Sequence, residues 1–305
     1  MSLLKYVEGS IGKRAKDKIK DFMDKYNPRF LYVDFSGGKD SSAVLALVND
    51  VTSKWIATFI HIAGQTHGIN VESAYGVAKR LVHDIDIIKI VAKKKGLVLH
   101  GFRKILNEYT PPFMVHVITF SHSSGLDYWS AIEKHGFPAP TERMGRGKRW
   151  CCSEFKSEWL DERPPNGFFN GRLARFIAVG VKRSDSPYRR KLWANTHVKV
   201  FDRNVRYIDV ALAPLIDYTN TEVFQVLLEY NIADIVSKQY EKWKRAPNCM
   251  LCPLMGKEAL NIAVRNISPG LKKRVLEVLK KIRPRYKDDT FSAKKIDEWI
   301  KALEV

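Results

Sequence analysis

Along the first sixty residues, the apolar positions change from a helical period to short continuous runs. Residues 1–27 carry an apolar side chain every three or four positions among lysines, which predicts an amphipathic helix. Residues 30–35 form a short β-prone run, and residues 41–48 return to helical spacing after two glycines. Residues 55–62 form a second β-prone run. A strand, a helix and a strand in this order predict a parallel crossover and therefore an α/β fold.

The next eighty residues show a less regular pattern. Residues 71–82 have the spacing of a helix, and residues 84–95 predict a second helix or its continuation, closed by three lysines and by Gly96. Residues 97–99 suit a short strand. Residues 100–150 are punctuated by prolines and small polar residues, so we predict irregular loops there, of the kind that often carry binding groups.

The second half of the chain contains further strand and helix signals. Residues 175–181 predict a strand, and the runs at 198–201 and 205–209 predict a β-hairpin. A capping box formed by Thr219 and Glu222 predicts the start of a helix, because each of these side chains can satisfy a backbone N–H group at the other residue.

These elements predict three parts of the chain. An N-terminal amphipathic helix occupies residues 1–28, an α/β domain with a parallel sheet occupies residues 29–237, and a basic helical extension that carries the second cysteine pair occupies residues 238–305. No internal repeat or low-complexity segment interrupts this order.

Charge and composition narrow the class of partner. The 305 residues include 52 lysines and arginines against 33 acidic residues, which gives a net charge of +19 and favours an anionic partner such as a nucleic acid, a nucleotide or a phosphorylated or sulfated small molecule. The alternative is a protein that is basic only for solubility. No apolar run is long enough for a membrane span and no signal peptide is visible, so we expect a cytoplasmic protein without a membrane partner.

The two glycines between the first strand and the first long helix predict an anion site. Glycines let backbone N–H groups approach an anion closely, and the N-terminus of the following helix adds a positive dipole. We call residues 36–41 the phosphate loop. Its spacing differs from that of a Walker A loop, which needs four residues between its first glycine and Gly-Lys. The alternative is an ordinary turn whose serines cap a helix.

The phosphate loop matches the Ser-Gly-Gly-x-Asp-Ser signature of the PP-loop ATP pyrophosphatases, and its lysine and the Ser-Ala-Val-Leu that follows resemble the phosphoadenosine phosphosulfate (PAPS) reductase branch. Four further segments are similar to that branch in the same order, at residues 61–67, 150–156, 180–189 and 214–224. The resemblance implies a doubly wound parallel sheet of the adenine nucleotide alpha hydrolase-like type.

The resemblance also implies which residues handle a nucleotide. An ATP or a related adenine nucleotide would place its phosphates on the backbone N–H groups of the phosphate loop, with Mg²⁺ bridging phosphate oxygens. Lys39 would stabilise the leaving pyrophosphate and Asp40 would cap the helix or orient the metal, so these two are the expected catalytic residues. The expected cofactor-binding residues are Ser36, Gly37, Gly38, Lys39, Asp40, Ser41, Gly64, Lys182, Arg183, Ser186 and Arg189.

Two similar segments depart from the family pattern. The segment 61–67 has Gly-Gln-Thr-His where many members have Asp-Thr-Gly, and therefore lacks the aspartate of that loop. The segment 180–189 has Lys182 for the first arginine of the family and Asp185 for its glutamate. Lysine keeps the positive charge but not the planar fork that binds an oxyanion through two hydrogen bonds.

The four cysteines lie in two of these segments, as an adjacent pair, Cys151 and Cys152, and as Cys249-x-x-Cys252. This arrangement does not resemble a secreted disulfide framework. It resembles the [4Fe–4S] ligand set of the adenylyl-sulfate-reducing branch and of the related DNA phosphorothioation protein, which implies that the four cysteines are metal ligands. Soft thiolates in fours suit an iron–sulfur cluster or zinc, and metal-free thiols are the third alternative.

The position of the last cysteine bears on the reaction. Reductases of this family carry a nucleophilic cysteine in a C-terminal tail, whereas no cysteine follows Cys252 here. If all four thiols hold a metal, none is left to attack a sulfonucleotide. The leading hypothesis is therefore an enzyme that adenylates a substrate for sulfur transfer or nucleic-acid modification, with tRNA or DNA as a partner and a protein as sulfur or electron donor. The alternatives are a sulfonucleotide reductase that uses Cys249 or Cys252, and a non-catalytic nucleotide- or nucleic-acid-binding protein.

Overall fold

The computed structural model describes residues 11–62, 64–66, 68–82, 86–92, 115–122, 127–138, 150–157, 160–161, 163–202, 207–243, 249–253 and 255–304. The strands are β1 (Leu31–Asp34), β2 (Trp55–His61), β3 (Asp86–Ala92), β4 (Val115–His122), β5 (Gly167–Phe169), β6 (Arg172–Val179), β7 (Val198–Asp202) and β8 (Ile208–Leu212). The helices of eight residues or more, together with the short α5, are α1 (Ile11–Tyr26), α2 (Lys39–Val51), α3 (Gly68–Leu81), α4 (Tyr128–His135), α5 (Pro187–Leu192), α6 (Asn220–Glu229), α7 (Ala233–Trp243), α8 (Lys257–Asn266), α9 (Pro269–Ile282) and α10 (Phe291–Glu304).

The eight strands of the described residues form one sheet in the order β3-β4-β2-β1-β6-β8-β7, with β5 paired to β6. The pairs β3–β4, β4–β2, β2–β1, β1–β6 and β6–β8 are parallel, whereas β5–β6 and β7–β8 are antiparallel. The predicted α/β fold with a parallel sheet is therefore confirmed. The predicted hairpin is also present, since Phe201 pairs with Asp209 across β7 and β8.

The order of the strands reverses at β1. The chain leaves β1 towards β2 on one side, and β6 later pairs with β1 on the other side. In open α/β sheets, ligands bind in the crevice at the carboxyl ends of the strands where such a reversal occurs. The loops that follow β1 and β6 are therefore placed to form a site together.

Both faces of the sheet are covered by helices. Leu31 and Val33 of β1 face a large apolar core that also contains side chains of α1, α2, α3, α6 and α7. On the opposite face, Trp193 at the end of α5 packs against Ala211 of β8. Strands buried on both faces consist of continuous apolar runs, which explains why the sequence of β1 is uniformly apolar up to Asp34.

A second apolar core lies beside the sheet. It joins α4 and Cys151 to helices α8, α9 and α10. Trp299 of α10 is fully buried there, with its ring centroid 6.3 Å from that of Trp129 and 5.5 Å from that of Phe137. The C-terminal helices are therefore packed on the part of the chain that precedes the first cysteine pair.

Two predictions for the middle of the chain are wrong. The described part of the predicted helix at 84–95, residues 86–92, is the strand β3, which pairs along its whole length with β4. Residues 100–150, predicted to be irregular, contain β4 and α4. A run as short as Asp-Ile-Ile-Lys-Ile-Val-Ala fits both periods, so the partner strand decides its structure. The strand predicted at 97–99 lies outside the described residues.

The helices predicted at 41–48 and 71–82 are confirmed as α2 and α3. The predicted N-terminal helix is described only from residue 11, where it is α1, and residues 1–10 lie outside the described residues. The capping box between Thr219 and Glu222 is formed in both directions and begins α6. Among the described residues, no helix has both the length and the apolar character required to cross a membrane.

Candidate functional site

The phosphate loop turns sharply at Gly37. Its φ angle of 72° lies in the left-handed region, and a Cβ atom there would lie 2.9 Å from the carbonyl oxygen of Asn70. Only glycine satisfies both conditions. Gly38 is the N-cap of α2 and provides no side-chain capping bond. The N-terminus of α2, which carries the positive end of the helix dipole, directly follows the glycine turn.

The serines of the loop fix its shape and do not cap the helix. The backbone N–H of Ser36 donates to Ser41 Oγ at 3.1 Å, and the two hydroxyl oxygens lie 3.0 Å apart. Ser41 Oγ donates in turn to the carbonyl of Gly38 at 3.1 Å. This pattern disagrees with an ordinary turn in which serines cap α2, and it holds the first and last residues of the loop together.

Two buried side chains from other helices hold the carbonyl of Gly37. Ser73 Oγ of α3 donates to it at 3.0 Å and Gln239 Nε2 of α7 donates at 2.6 Å. The carbonyl of Gly37 therefore accepts hydrogen bonds from two different helices, α3 and α7. A turn restrained in this way is preorganised for an anion before the anion arrives.

Gly180, in the loop after β6, lets this loop approach the phosphate loop closely. A Cβ atom at Gly180 would lie 2.7 Å from the backbone nitrogen of Ser41 and 2.8 Å from the carbonyl carbon of Asp40. Gly180 was not among the residues that the sequence predicted for the site. The signal for it was a glycine near the end of the predicted strand at 175–181, in a segment similar to the family.

Lys182 connects the phosphate loop to the loop after β6. Its ammonium group contacts Asp40 Oδ1 and lies 2.8 Å from Asp185 Oδ1, and its side chain is only 1% exposed. Asp40 also accepts from Lys39 at 2.5 Å, and Asp185 accepts from Arg189 at 2.6 Å. The structure thus joins four of the predicted site residues into one chain of alternating charge, with Asp185 as a member that the prediction omitted.

The pKa values of this network follow from burial and from its neighbours. Burial lowers the pKa of Lys39, and Lys182 adds to this effect while Asp40 opposes it. Burial would also lower the pKa of Lys182, but its bonds to Asp185 and Asp40 outweigh burial and raise it. Because Lys39 is disfavoured as a cation, a phosphate beside it would stabilise its charge.

The remaining predicted nucleotide-binding residues make contacts of other kinds. Arg183 donates its Nε to the carbonyl of Trp193 at 2.8 Å and pairs with Asp217, away from the charge network. Ser186 caps α5 by accepting from the backbone N–H of Arg189 at 3.1 Å. Gly64 lies in the loop after β2, where its carbonyl accepts from Trp129 Nε1 at 2.9 Å. A nucleotide contact at these positions stays a prediction.

A cavity of about 190 Å³ opens beside the phosphate loop, over the ends of β1 and β2. We call it the first cavity. Ser36 and Thr66 line it, and so does the buried Thr58, whose hydroxyl has no hydrogen-bond partner among the described residues. A buried hydroxyl without a partner is costly, so it marks a position where a ligand could supply the missing bond.

Lys156 lies between the first cavity and the cysteines. It lines the cavity, and its ammonium nitrogen donates to Cys249 Sγ at 3.2 Å. Burial would lower the pKa of Lys156, but the nearby thiols of Cys249, Cys152 and Cys252 raise it above its ordinary value. Lys156 lies in the similar segment 150–156 but was not among the residues that the sequence predicted for the site.

Members of both cysteine pairs lie near the same tyrosine, Tyr128. Burial, and then the charges of Cys151, Cys249 and Cys252, raise the pKa of Tyr128 well above its ordinary value, so one tyrosine lies near members of both pairs. None of the four cysteines forms a disulfide bond, and Cys151 is buried. Among the described residues, no three histidine, cysteine or acidic side chains are grouped so as to hold one metal ion.

The loop after β2 holds the second cysteine pair. Gln65 Nε2 donates to the carbonyl of Leu251 at 2.7 Å, and Gln65 Oε1 accepts from the N–H of Leu251 at 3.2 Å. The Gln65 carbonyl accepts from the N–H of Met250 at 2.9 Å. The glutamine that departs from the family pattern therefore fixes the residues between Cys249 and Cys252.

Comparison with known proteins gives limited similarity. No protein-family model matches the chain. The uncharacterized protein MJ0973 of Methanocaldococcus jannaschii is 25% identical over 253 residues, which cover 81% of this chain and 47% of that protein. The chain thus spans about half the length of the curated relative it matches.

A solved structure is similar over most of the chain. It is an NH3-dependent NAD synthetase from Campylobacter jejuni in complex with the nitrate ion, with 14% sequence identity and a TM-score of 0.41, covering 92% of this chain and 96% of that chain. A similarity at this level carries no argument about the site or its reaction.

Proposed function

We propose that this protein is a PP-loop enzyme of the PAPS reductase-like group that binds ATP or a related adenine nucleotide and adenylates a substrate. The observation that carries the proposal is the restrained glycine turn of the phosphate loop, with Lys39 and Lys182 beside it. Backbone N–H groups and Lys39 at a helix N-terminus suit the β- and γ-phosphates of ATP. The first cavity, next to this turn, has room for the adenine base.

The reaction would be a transfer of the adenylyl group. A nucleophile of the acceptor attacks the α-phosphorus, a bond to that phosphorus forms, and the bond from the α-phosphorus to the bridging oxygen breaks, so that pyrophosphate leaves. Lys39 neutralises charge on the leaving pyrophosphate, and Lys182 keeps Asp40 in place beside it. Mg²⁺, when bound, would neutralise phosphate oxygens, and Asp40 is the carboxylate of the loop suited to orient it.

We further propose that the four cysteines serve a [4Fe–4S] cluster, with zinc as the alternative. Four soft thiols support this assignment by donor type. Cys249 and Cys252 are neighbours of both Tyr128 and Lys156, while Cys151 is a neighbour of Tyr128 and Cys152 of Lys156. The arrangement of the described residues is not a formed ligand set, so no step of the reaction is derived through it. Metal analysis of protein purified without oxygen tests the assignment, because one zinc per chain without sulfide would end it.

The adenylation proposal is tested by the exchange of labelled pyrophosphate into ATP. We expect exchange that requires the acceptor and falls at least about a hundredfold in Lys39→Ala, as for the loss of a charged group that stabilises the transition state. Lys54→Ala is the matched control, since Lys54 is exposed just before β2, at the opposite edge of the sheet. Full exchange in Lys39→Ala would refute the assigned role. Tight RNA or DNA binding without any turnover would instead favour a non-catalytic binding protein.

One observation favours the sulfonucleotide reductase as second candidate. The bond from Lys156 to Cys249 would stabilise a thiolate, and a thiolate is the nucleophile that attacks a sulfonucleotide. Release of sulfite from PAPS or adenylyl sulfate, lost in Cys249→Ser but kept in Cys151→Ser, would establish this candidate and displace the first.

A further inference from the structure

A second cavity, of about 250 Å³, lies over β1, β6 and β8 on the same face of the sheet as the first. The two cavities share Asp34 and Leu160 as a common wall, so they lie on either side of the end of β1. None of the chemistry proposed for the phosphate loop uses this space. A cavity beside the nucleotide position is where an adenylyl acceptor must be held, because the acceptor has to reach the α-phosphorus.

The walls of the second cavity are mainly apolar and aromatic. Trp193 and Phe201 line it together with Ile177 of β6. Tyr188, which is 70% exposed, lies at its edge. An exposed aromatic ring at the edge of a cavity can stack on a flat ring of a ligand, and aromatic walls favour such rings.

The polar groups of the cavity are carboxylates fixed by buried arginines. Arg175 is fully buried, donates its Nε to Asp209 at 2.6 Å and lies 3.6 Å from Asp161. Its Nη1 also donates to the carbonyls of Leu160 and Asp161, which fixes the backbone of that wall. Asp161 keeps 43% of its side chain exposed, so its oxygens can accept hydrogen bonds from a ligand bearing N–H groups.

A series of ion pairs connects the rim of the second cavity to the phosphate loop. Arg189 lines the cavity and pairs with Asp185, which Lys182 connects to Asp40. The next residues of α5, Arg190 and Lys191, are exposed. A phosphate attached to a flat ring in the cavity would therefore meet cations at the rim.

From these observations we infer that the second cavity binds one nucleobase of the acceptor, with the ring between the aromatic walls, an amino group on Asp161 and an adjoining phosphate at Arg189. The inference rests on the proposed adenylation and names the class of its acceptor as a nucleotide. A free nucleotide and a nucleotide within a nucleic-acid strand present the same chemistry to this cavity.

The experiment measures binding to the full chain by calorimetry with a non-hydrolysable ATP analogue at saturation. The probes are the four ribonucleoside 5′-monophosphates and single-stranded RNA and DNA octamers. We expect one further site per chain for nucleotides whose base carries an amino group, with uridine monophosphate weaker. Tighter binding of an octamer than of every mononucleotide would identify a nucleic-acid acceptor, and equal binding a free nucleotide.

Two variants test whether the second nucleotide binds in the second cavity. Tyr188→Ala should weaken the second binding event about tenfold through lost stacking, and Asp161→Asn should remove the preference for amino-bearing bases over uridine. Phe168→Ala is the matched control, because Phe168 is a similarly exposed aromatic residue on β5 that does not line the cavity. Thermal unfolding of each variant establishes that it is folded.

The outcomes separate the two proposals. If the ATP analogue binds but no second nucleotide does, or if Tyr188→Ala binds the second nucleotide normally, the cavity inference is wrong while the proposed function stands. If the ATP analogue does not bind, the proposed function fails, and nucleotide binding that still depends on Tyr188 would support the cavity independently.

Discussion

Lys182 joins the phosphate loop to the loop after β6 at the carboxyl edge of the sheet. It is buried between two carboxylates that come from different parts of the chain, Asp40 and Asp185. A buried charge of this kind has a large desolvation penalty, which its partners offset only while both are in place. The energetic role of Lys182 is therefore to hold the loops together as well as to supply charge.

Replacing Lys182 by methionine should destabilise the fold by about 2 kcal/mol, because it leaves two carboxylates beside a buried apolar chain. The loss is limited because Asp40 keeps Lys39 and Asp185 keeps Arg189 as partners. Urea unfolding measures the change. Lys182→Arg, which keeps the charge, should lose less, and equal losses in the two variants would show that shape and not charge matters here.

The pH dependence of stability should reveal Asp185. Burial opposes its ionisation, but hydrogen bonds from Lys182 and the charge of Arg189 outweigh burial and hold its pKa below the ordinary value of 3.8. A lowered folded pKa contributes stability that is complete above the ordinary pKa and is lost as the pH falls through the folded pKa. Lys182, whose pKa is raised, contributes stability below its ordinary value of 10.5 that is lost as the pH rises through the folded value.

We therefore expect Asp185→Asn to be less stable than the natural protein at neutral pH, with the difference narrowing below about pH 4. Chemical unfolding at a series of pH values measures it. Asp24→Asn, at an exposed position of α1, is the control and should change little at any pH. A difference for Asp185→Asn that stays constant into acid would rule out its linked ionisation.

The loop after β6 lies directly against the first turn of α2 at Gly180. Gly180→Ala would place a methyl group against backbone atoms of Asp40 and Ser41, which cannot move aside as a flexible side chain can. We expect a destabilisation of about 1–3 kcal/mol and weaker ATP binding. Gly270→Ala on α9 is the matched control, since no atom lies within 4 Å of its added Cβ. Normal ATP binding by Gly180→Ala would remove this contact from the site.

The contact between the loop after β2 and the second cysteine pair provides another element-level prediction. Gln65→Ala leaves the buried N–H and C=O groups of Leu251 without their side-chain partners, at a cost of about 1–3 kcal/mol each. The loop between Cys249 and Cys252 should open more often, so both thiols should react faster with a disulfide reagent. Gln225→Ala on α6 should leave these rates unchanged. An unchanged rate in Gln65→Ala would mean that other contacts fix the loop.

For the whole molecule, the second core determines whether the C-terminal helices unfold with the rest. Trp299 is fully buried between rings that belong to the middle of the chain, Trp129 and Phe137. Trp299→Ala should cost about 3–5 kcal/mol, as for other buried aromatic residues. Leu228→Ala, at a position 67% exposed, should cost little. Thermal unfolding of both variants measures this, and a small loss in Trp299→Ala would mean that the core collapses around the gap.

The local sequence determined those features whose chemistry is complete within a few residues. The two glycines of the phosphate loop predict a tight turn because they have no side chain, and Thr219 and Glu222 predict a helix start because each satisfies a backbone N–H group of the other. The alternation of strand and helix predicts a parallel sheet, because parallel strands need a crossover connection. The glycine turn and the helix start hold because neither needs a distant partner.

Tertiary structure decided the features that depend on distant partners. The run at 86–92 is a strand because β4 lies beside it, although its own pattern also suits a helix. Gln65 reaches Leu251, and Lys182 reaches Asp40, over separations of 186 and 142 residues that no local pattern reveals. The strand order likewise places the second cavity beside the first. Such contacts follow from the packing of the sheet and its loops, which residue spacing alone does not specify.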